Sequence, residues 1–128
     1  MQKYLQKRIE EVTEQIELAT DPDWIAWGLI TRAAIQKERG NTEAALEDLG
    51  AAINLPDIPL EKLEEALRAR SWIMFCANQY AAALMDIEQI IFNPEMPGDL
   101  VGGAKMQRSE IYRVANLAGV DLDCGAVQ

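Results

Sequence analysis

The chain repeats itself at an interval of 38 residues. At that offset Pro56-Asp57-Ile58-Pro59 falls on Pro94-Glu95-Met96-Pro97, and Ala45-Leu46-Glu47-Asp48-Leu49 falls on Ala83-Leu84-Met85-Asp86-Ile87. Arg32-Ala33-Ala34-Ile35 falls on Arg70-Ser71-Trp72-Ile73, then on Arg108-Ser109-Glu110-Ile111. Gly40, Asn78 and Asn116 take the turn position of the three copies, and Gly and Asn best tolerate a left-handed helix end. A period of this length denotes one supersecondary unit that cannot bury its apolar face alone, so neighbouring units must stack.

Each unit is predicted to be two helices. In the first copy helix A spans about 22–39, with Asp21 as N-cap, Pro22 at the first helical position and Gly40 at the end. Helix B follows Asn41, with Ala45, Leu49, Ala52 and Ile53 on one face. The Pro-acidic-x-Pro segment stops it, because the first proline disfavours helix before it and the second can open the next. The second copy gives helix A at 60–77 and helix B at 80–92, and the third only a helix A at 99–117, ended by Asn116 or Gly119. Residues 1–18 fit an unpaired helix B, since Val12, Ile16 and Ala19 keep the spacing of Ala45, Leu49 and Ala52. The expected fold is all-α, a right-handed α-solenoid of about six antiparallel helices. Its parts are an N-terminal helix (1–20), repeat 1 (22–56), repeat 2 (60–94), a half repeat 3 (98–118) and a flexible tail (119–128), with the chain frayed from Val120 onward. The apolar run Trp72–Ala77 is expected to be surrounded by neighbours, with Cys76 a small core residue and Cys124 an incidental thiol of the tail.

Read as a spine, the landmarks are Leu29, Ala33, Gly40, Ala45, Leu49, Ala52 and Pro56, then Leu67, Ser71, Asn78, Ala83, Ile87, Ile90 and Pro94. This spine resembles the tetratricopeptide repeat over residues 22–117. The family period is about 34 residues, so the longer repeat here places its extra residues in the Pro-x-x-Pro loops. The resemblance implies a concave surface lined by the A helices, where a partner peptide or helix binds. Its positions are Trp27, Ile30, Ala34 and Lys37, then Arg68, Trp72, Phe75 and Cys76, then Met106, Glu110 and Arg113. For Trp72 and Phe75, inter-repeat core is an equal alternative. Family members that clamp a chaperone's C-terminal carboxylate use Lys, Asn and Arg at positions that here hold Ile30-Thr31, Arg68-Ala69 and Met106-Gln107, so that clamp is absent. Arg32 and Asp48, like Arg70 and Asp86, stand 16 residues apart, a pattern similar to one in bacterial members. An Arg on helix A can bury its stem and reach a carboxylate on helix B in fork geometry, which makes both pairs structural ion pairs rather than independent surface charges. Arg108 has Cys124 at the corresponding place.

Chemistry is conspicuous by the residues missing. The chain has no histidine, which removes the commonest general base and metal ligand together. No phosphate loop, nucleophile elbow or paired catalytic carboxylates occur; Gly102-Gly103 is read as a weak first turn of the last helix, and Glu61, Glu64 and Glu65 as a solvated face. The expectation is a protein without catalytic residues, metal or cofactor. A net charge of −9, from 21 acidic and 12 basic residues, disfavours nucleic acid or an anionic membrane as partner. The N-terminus lacks the apolar core of a secretory signal and no run reaches membrane-spanning length, so a cytoplasmic location is expected.

Three readings of function remain open from the residues. One is an adaptor that binds a partner segment in the A-helix groove. Another is a small acidic inhibitor or antitoxin-like protein whose N-terminal helix (Glu10, Glu11, Glu14, Glu17, with Asp21 and Asp23 beyond) covers a basic site on an enzyme. The third is a self-associating module that dimerises through its C-terminal helix.

Overall fold

Helix ends set the register of this molecule. In the computed structural model, which describes residues 2–122, the described residues include the helices α1 (Gln2–Leu18), α2 (Pro22–Glu38), α3 (Thr42–Ile53), α4 (Leu60–Cys76), α5 (Tyr80–Ile91) and α6 (Gly98–Leu117). No strand occurs among the described residues, and the class is all-α. Helices α2, α4 and α6 begin at residues 22, 60 and 98, and α3 and α5 at 42 and 80, so the 38-residue interval of the sequence is kept in the helix starts.

Local chemistry explains the boundaries. Asp21 is extended and its carboxylate accepts from the Asp23 N–H at 2.9 Å, with Pro22 opening α2 where its missing N–H costs nothing. Asn41 caps α3 by accepting from the Ala44 N–H. At the other ends, Gly40 (φ +83°), Asn78 (φ +62°) and Gly119 (φ +80°) adopt the left-handed conformation. Each closes a pair of bonds: Gly40 N to Lys37 O with Asn41 N to Gln36 O, Asn78 N to Phe75 O with Gln79 N to Met74 O, and Gly119 N to Asn116 O with Val120 N to Ala115 O. This double closure is the Schellman motif, which satisfies carbonyls that the helix leaves unpaired. Of the two ends expected for the last helix, Asn116 lies inside α6 and the turn falls on Gly119; α6 has 20 residues where α2 and α4 have 17. Val120 is held by that cap rather than frayed. Cys124 and the rest of the tail beyond Leu122 lie outside the described residues.

The chain divides into two compact units, residues 1–66 and 67–128. In the first, α1 packs on α2 and α2 on α3. Leu5, Ile9 and Val12 of α1 bury against Ile35 of α2, with Ile16 at the margin of the same cluster. Gly28 lets the two helices meet, because a Cβ there would stand 2.5 Å from Cγ1 of Ile16. At the far end Arg39 donates to the side-chain oxygens of Gln2 (3.1 Å) and Gln6 (2.7 Å), which ties the end of α2 to the start of α1. Between α2 and α3 the spine residues Leu29, Ala33, Ala45, Leu49 and Ala52 are all buried.

The second unit buries the corresponding positions Leu67, Ser71, Ala83, Ile87 and Ile90. The small residues Ser71 and Ala83 bring α4 and α5 together, and Ser71 Oγ donates to the Ala83 carbonyl at 2.9 Å, so this buried hydroxyl is paired. Helix α6 packs on α5, with Ala104, Ile111 and Ala115 buried, and Met96 of the preceding loop is also buried. Each fully buried Leu or Ile of this kind contributes roughly 1.5–3 kcal/mol relative to exposure, so the large spine residues outweigh any single surface contact.

Two expectations about burial are corrected. The run Trp72–Ala77 is not enclosed: Trp72 is 47% exposed, and Cys76 and Ala77 are exposed because α4 ends there. Glu64 does not belong to a solvated face; it is buried at 7% and its side chain is engaged.

Candidate interaction surfaces

The Arg–Asp pairs join helix to helix within each unit. Arg32 of α2 donates from Nε and Nη2 to the two carboxylate oxygens of Asp48 on α3, at 2.9 and 2.7 Å. Arg70 of α4 holds Asp86 of α5 in the same fork at the same two distances. Both guanidinium pKa values are raised, first because of these hydrogen bonds to aspartate, with burial opposing. Arg32 does more than Arg70: its Nη1 also donates to Thr13 Oγ1 of α1 at 3.0 Å, linking three helices. Arg108, third in the series, is half-buried, and position 124 opposite it in sequence register lies outside the described residues.

The positions expected to line a binding surface are distributed unevenly. In the first unit Ile30 is buried at 9%, so it serves packing, while Ala34 and Lys37 are exposed and Trp27 is half-buried. In the second unit Arg68, Trp72 and Phe75 stand at i, i+4 and i+7 on α4, one helical face. Arg68 and Trp72 are exposed and Phe75 half-buried. Trp72 lies against Phe75 (ring centroids 5.7 Å apart), and Phe75 meets Tyr80 edge-on at 5.9 Å, so the outer ring of the row rests on a buried one. On α6, Met106 is 77% exposed, and Arg113 grips both carboxylate oxygens of Glu110 on the open surface. That contact holds the Glu110 carboxyl below its ordinary value.

A further apolar feature joins Trp27, an expected position, to Trp24, which was not one. Trp24 and Trp27, one turn apart on α2, stack with centroids 4.7 Å apart and planes at 21°. Trp24 remains 50% exposed and Leu18, at the end of α1, 75%. Together with Gln15, Ala19, Thr20 and Asp21, they line an open pocket of about 410 Å³. Two Trp residues at i, i+3 directly after Asp-Pro-Asp were the available signal. Asp21 is the carboxylate among the lining residues; in sequence, residues 9–31 hold Glu10, Glu11, Glu14, Glu17, Asp21 and Asp23, all exposed, and no Lys or Arg.

Among the described residues no group of three or more His, Cys, Asp or Glu is placed to hold a metal ion, and no helix is long and apolar enough to cross a membrane. No protein-family model matches the chain, and no curated protein or solved structure is significantly similar to it.

Proposed function

We propose that this protein is a helical-repeat interaction module of tetratricopeptide type, which binds an amphipathic segment of another protein and carries out no reaction of its own. The observation that supports this most directly is the row Arg68–Trp72–Phe75 on α4. A tryptophan left 47% exposed and backed by a second and third aromatic ring is costly to keep in water unless it is used. Tryptophan and arginine are also the residue types that dominate binding energies at protein interfaces. The family reading draws support from the constant 38-residue step of the helix starts, and from the burial of the same spine positions in both copies.

The test is the double substitution Arg68→Glu with Trp72→Ala, introduced into the full chain and used as bait in the native host. Retention of the helical circular-dichroism signal together with loss of a specific partner supports the reading. A folded variant that retains the partner places binding elsewhere.

A second reading, the acidic inhibitor, is favoured by one observation. Residues 9–31 hold six exposed carboxylates and no Lys or Arg, with Glu11 paired to Arg8 just outside the segment. Charge reversal at Glu10, Glu11 and Glu14 abolishes binding if that face carries the partner, and leaves it intact if α4 does.

A further inference from the structure

We infer that the pocket at the α1–α2 turn is a receptor for an arginine presented by a basic, amphipathic segment of a partner protein. The inference rests on the second reading above and names the chemistry of the ligand that face would take.

Three features of the first unit converge on it. Trp24 stacks on Trp27, a contact that favours this orientation of its ring in the unbound protein. A half-exposed indole attracts a guanidinium over its face, and among aromatic side chains Trp is the strongest such acceptor. Leu18, three-quarters exposed beside it, offers an apolar surface for the methylene stem of an arginine or for a neighbouring leucine of the same segment. Asp21 lines the pocket; one of its carboxylate oxygens accepts from the Asp23 N–H, and the carboxylate has further lone pairs to offer a donor. The pocket volume of about 410 Å³ lies at the small end for a ligand site, suited to one or two side chains.

Charge complementarity selects the occupant. Glu14, Glu17 and Asp23 add carboxylates near the pocket in sequence, and no cation occurs between Arg8 and Arg32. Arg8 pairs with Glu11, and Arg32, held by Asp48, also feels the charge of Glu17, while Asp21, which lines the pocket, puts a carboxylate beside Trp24. An acidic segment would meet the Asp21 carboxylate at the pocket and a purely apolar one would leave it without a donor; a basic amphipathic segment satisfies both the carboxylate and the apolar lining. Arginine fits better than lysine because its flat, weakly hydrated guanidinium can lie on an indole while donating in plane to a carboxylate.

The experiment uses the full chain and a synthetic helical peptide bearing Arg and Leu on one face, followed by calorimetry and by the indole N–H signals of Trp24, Trp27 and Trp72. The expected result is saturable binding that moves the Trp24 and Trp27 signals and not Trp72. Trp24→Ala weakens binding at least tenfold with helix content unchanged, and Leu18→Ser weakens it several-fold. A peptide with Gln in place of Arg does not bind.

Four results would overturn the inference. One is the absence of peptide binding. Another is binding that moves Trp72 alone, which hands the segment to α4. A third is undiminished binding to Trp24→Ala, with loss only on Glu10→Gln, Glu11→Gln and Glu14→Gln; that outcome leaves the acidic-face reading standing without the pocket. The last is a concentration-dependent shift of Trp24 without peptide, which assigns the pocket to a second copy of the chain.

Discussion

Asp86 is 4% exposed, and its charge is tolerated because Arg70 delivers two hydrogen bonds in the plane of the carboxylate. Removing one partner leaves the other charge buried and unpaired, which costs far more than the intact pair is worth. Arg70→Met is therefore expected to lower unfolding free energy by about 2–3 kcal/mol in urea titrations, discounted from the fully buried case because Arg70 is partly solvated. Adding Asp86→Leu to Arg70→Met should recover most of that loss; no recovery would show that the pair is not what the arginine supports. Glu110 and Arg113 form the contrasting case, a pair in open solvent. The Glu110 carboxyl sits below its ordinary value because Arg113 donates to it, so the contact is complete above the unfolded carboxyl pKa and is lost as pH falls through the lower folded value. An NMR titration should find the Glu110 midpoint below that of a free glutamate and returned to normal in Arg113→Gln, with no measurable change in global stability. The Arg–Asp spacing was legible in the sequence because an ion pair across a helix hairpin needs one residue type at a fixed interval. Thr13, which accepts the third Arg32 bond, was not, since it comes from α1 and from no repeated position.

Elements were legible where the signal was periodic or conformational, and illegible where it depended on which side a neighbour occupies. Asp21-Pro22, Gly40 and the proline loops gave boundaries within a residue or two of those observed, because caps and prolines act through the local backbone. The run Trp72–Ala77 misled for the opposite reason. Six consecutive apolar residues leave no periodicity from which to choose a face, and the last turn of α4 runs into solvent. Glu64 misled because acidic residues are seldom buried. Gly28 drew no notice since a lone glycine in a helix reads only as a weak point, whereas here it permits contact with Ile16. Two forces oppose each other at that site. Alanine gains about 1 kcal/mol in helix propensity over glycine, while overpacking costs about 1–3 kcal/mol. Gly28→Ala should destabilise by about 1 kcal/mol on balance, and in an Ile16→Ala background the same change should become stabilising. A gain in both backgrounds would mean that the helices do not depend on the close approach. Asn78, at φ +62°, gives a test of the helix ends: Asn78→Ala should cost about 1 kcal/mol, the penalty of a left-handed conformation with an ordinary Cβ, and a thermal melt unchanged from wild type would contradict it.

At the scale of the molecule, two units with the same spine differ in what they present. The first shows a stacked tryptophan pair with Asp21 beside it in a segment rich in exposed carboxylates, the second an arginine–aromatic row on α4. The positions of the α4 row were legible by register, since 30, 68 and 106 or 34, 72 and 110 recur at the repeat interval. Register does not fix exposure, however, and at these positions Ile30 is buried while Arg68 and Met106 are exposed. Binding of a partner segment is the claim on which the account turns, and site-specific photo-crosslinking in the native host tests it with least interpretation. A benzophenone side chain is placed at position 72 on α4 and, as control, at Glu47, an exposed position of α3. The account predicts a discrete adduct to one protein from position 72 and none from position 47. Equal labelling from both positions, or no adduct from position 72, would contradict it.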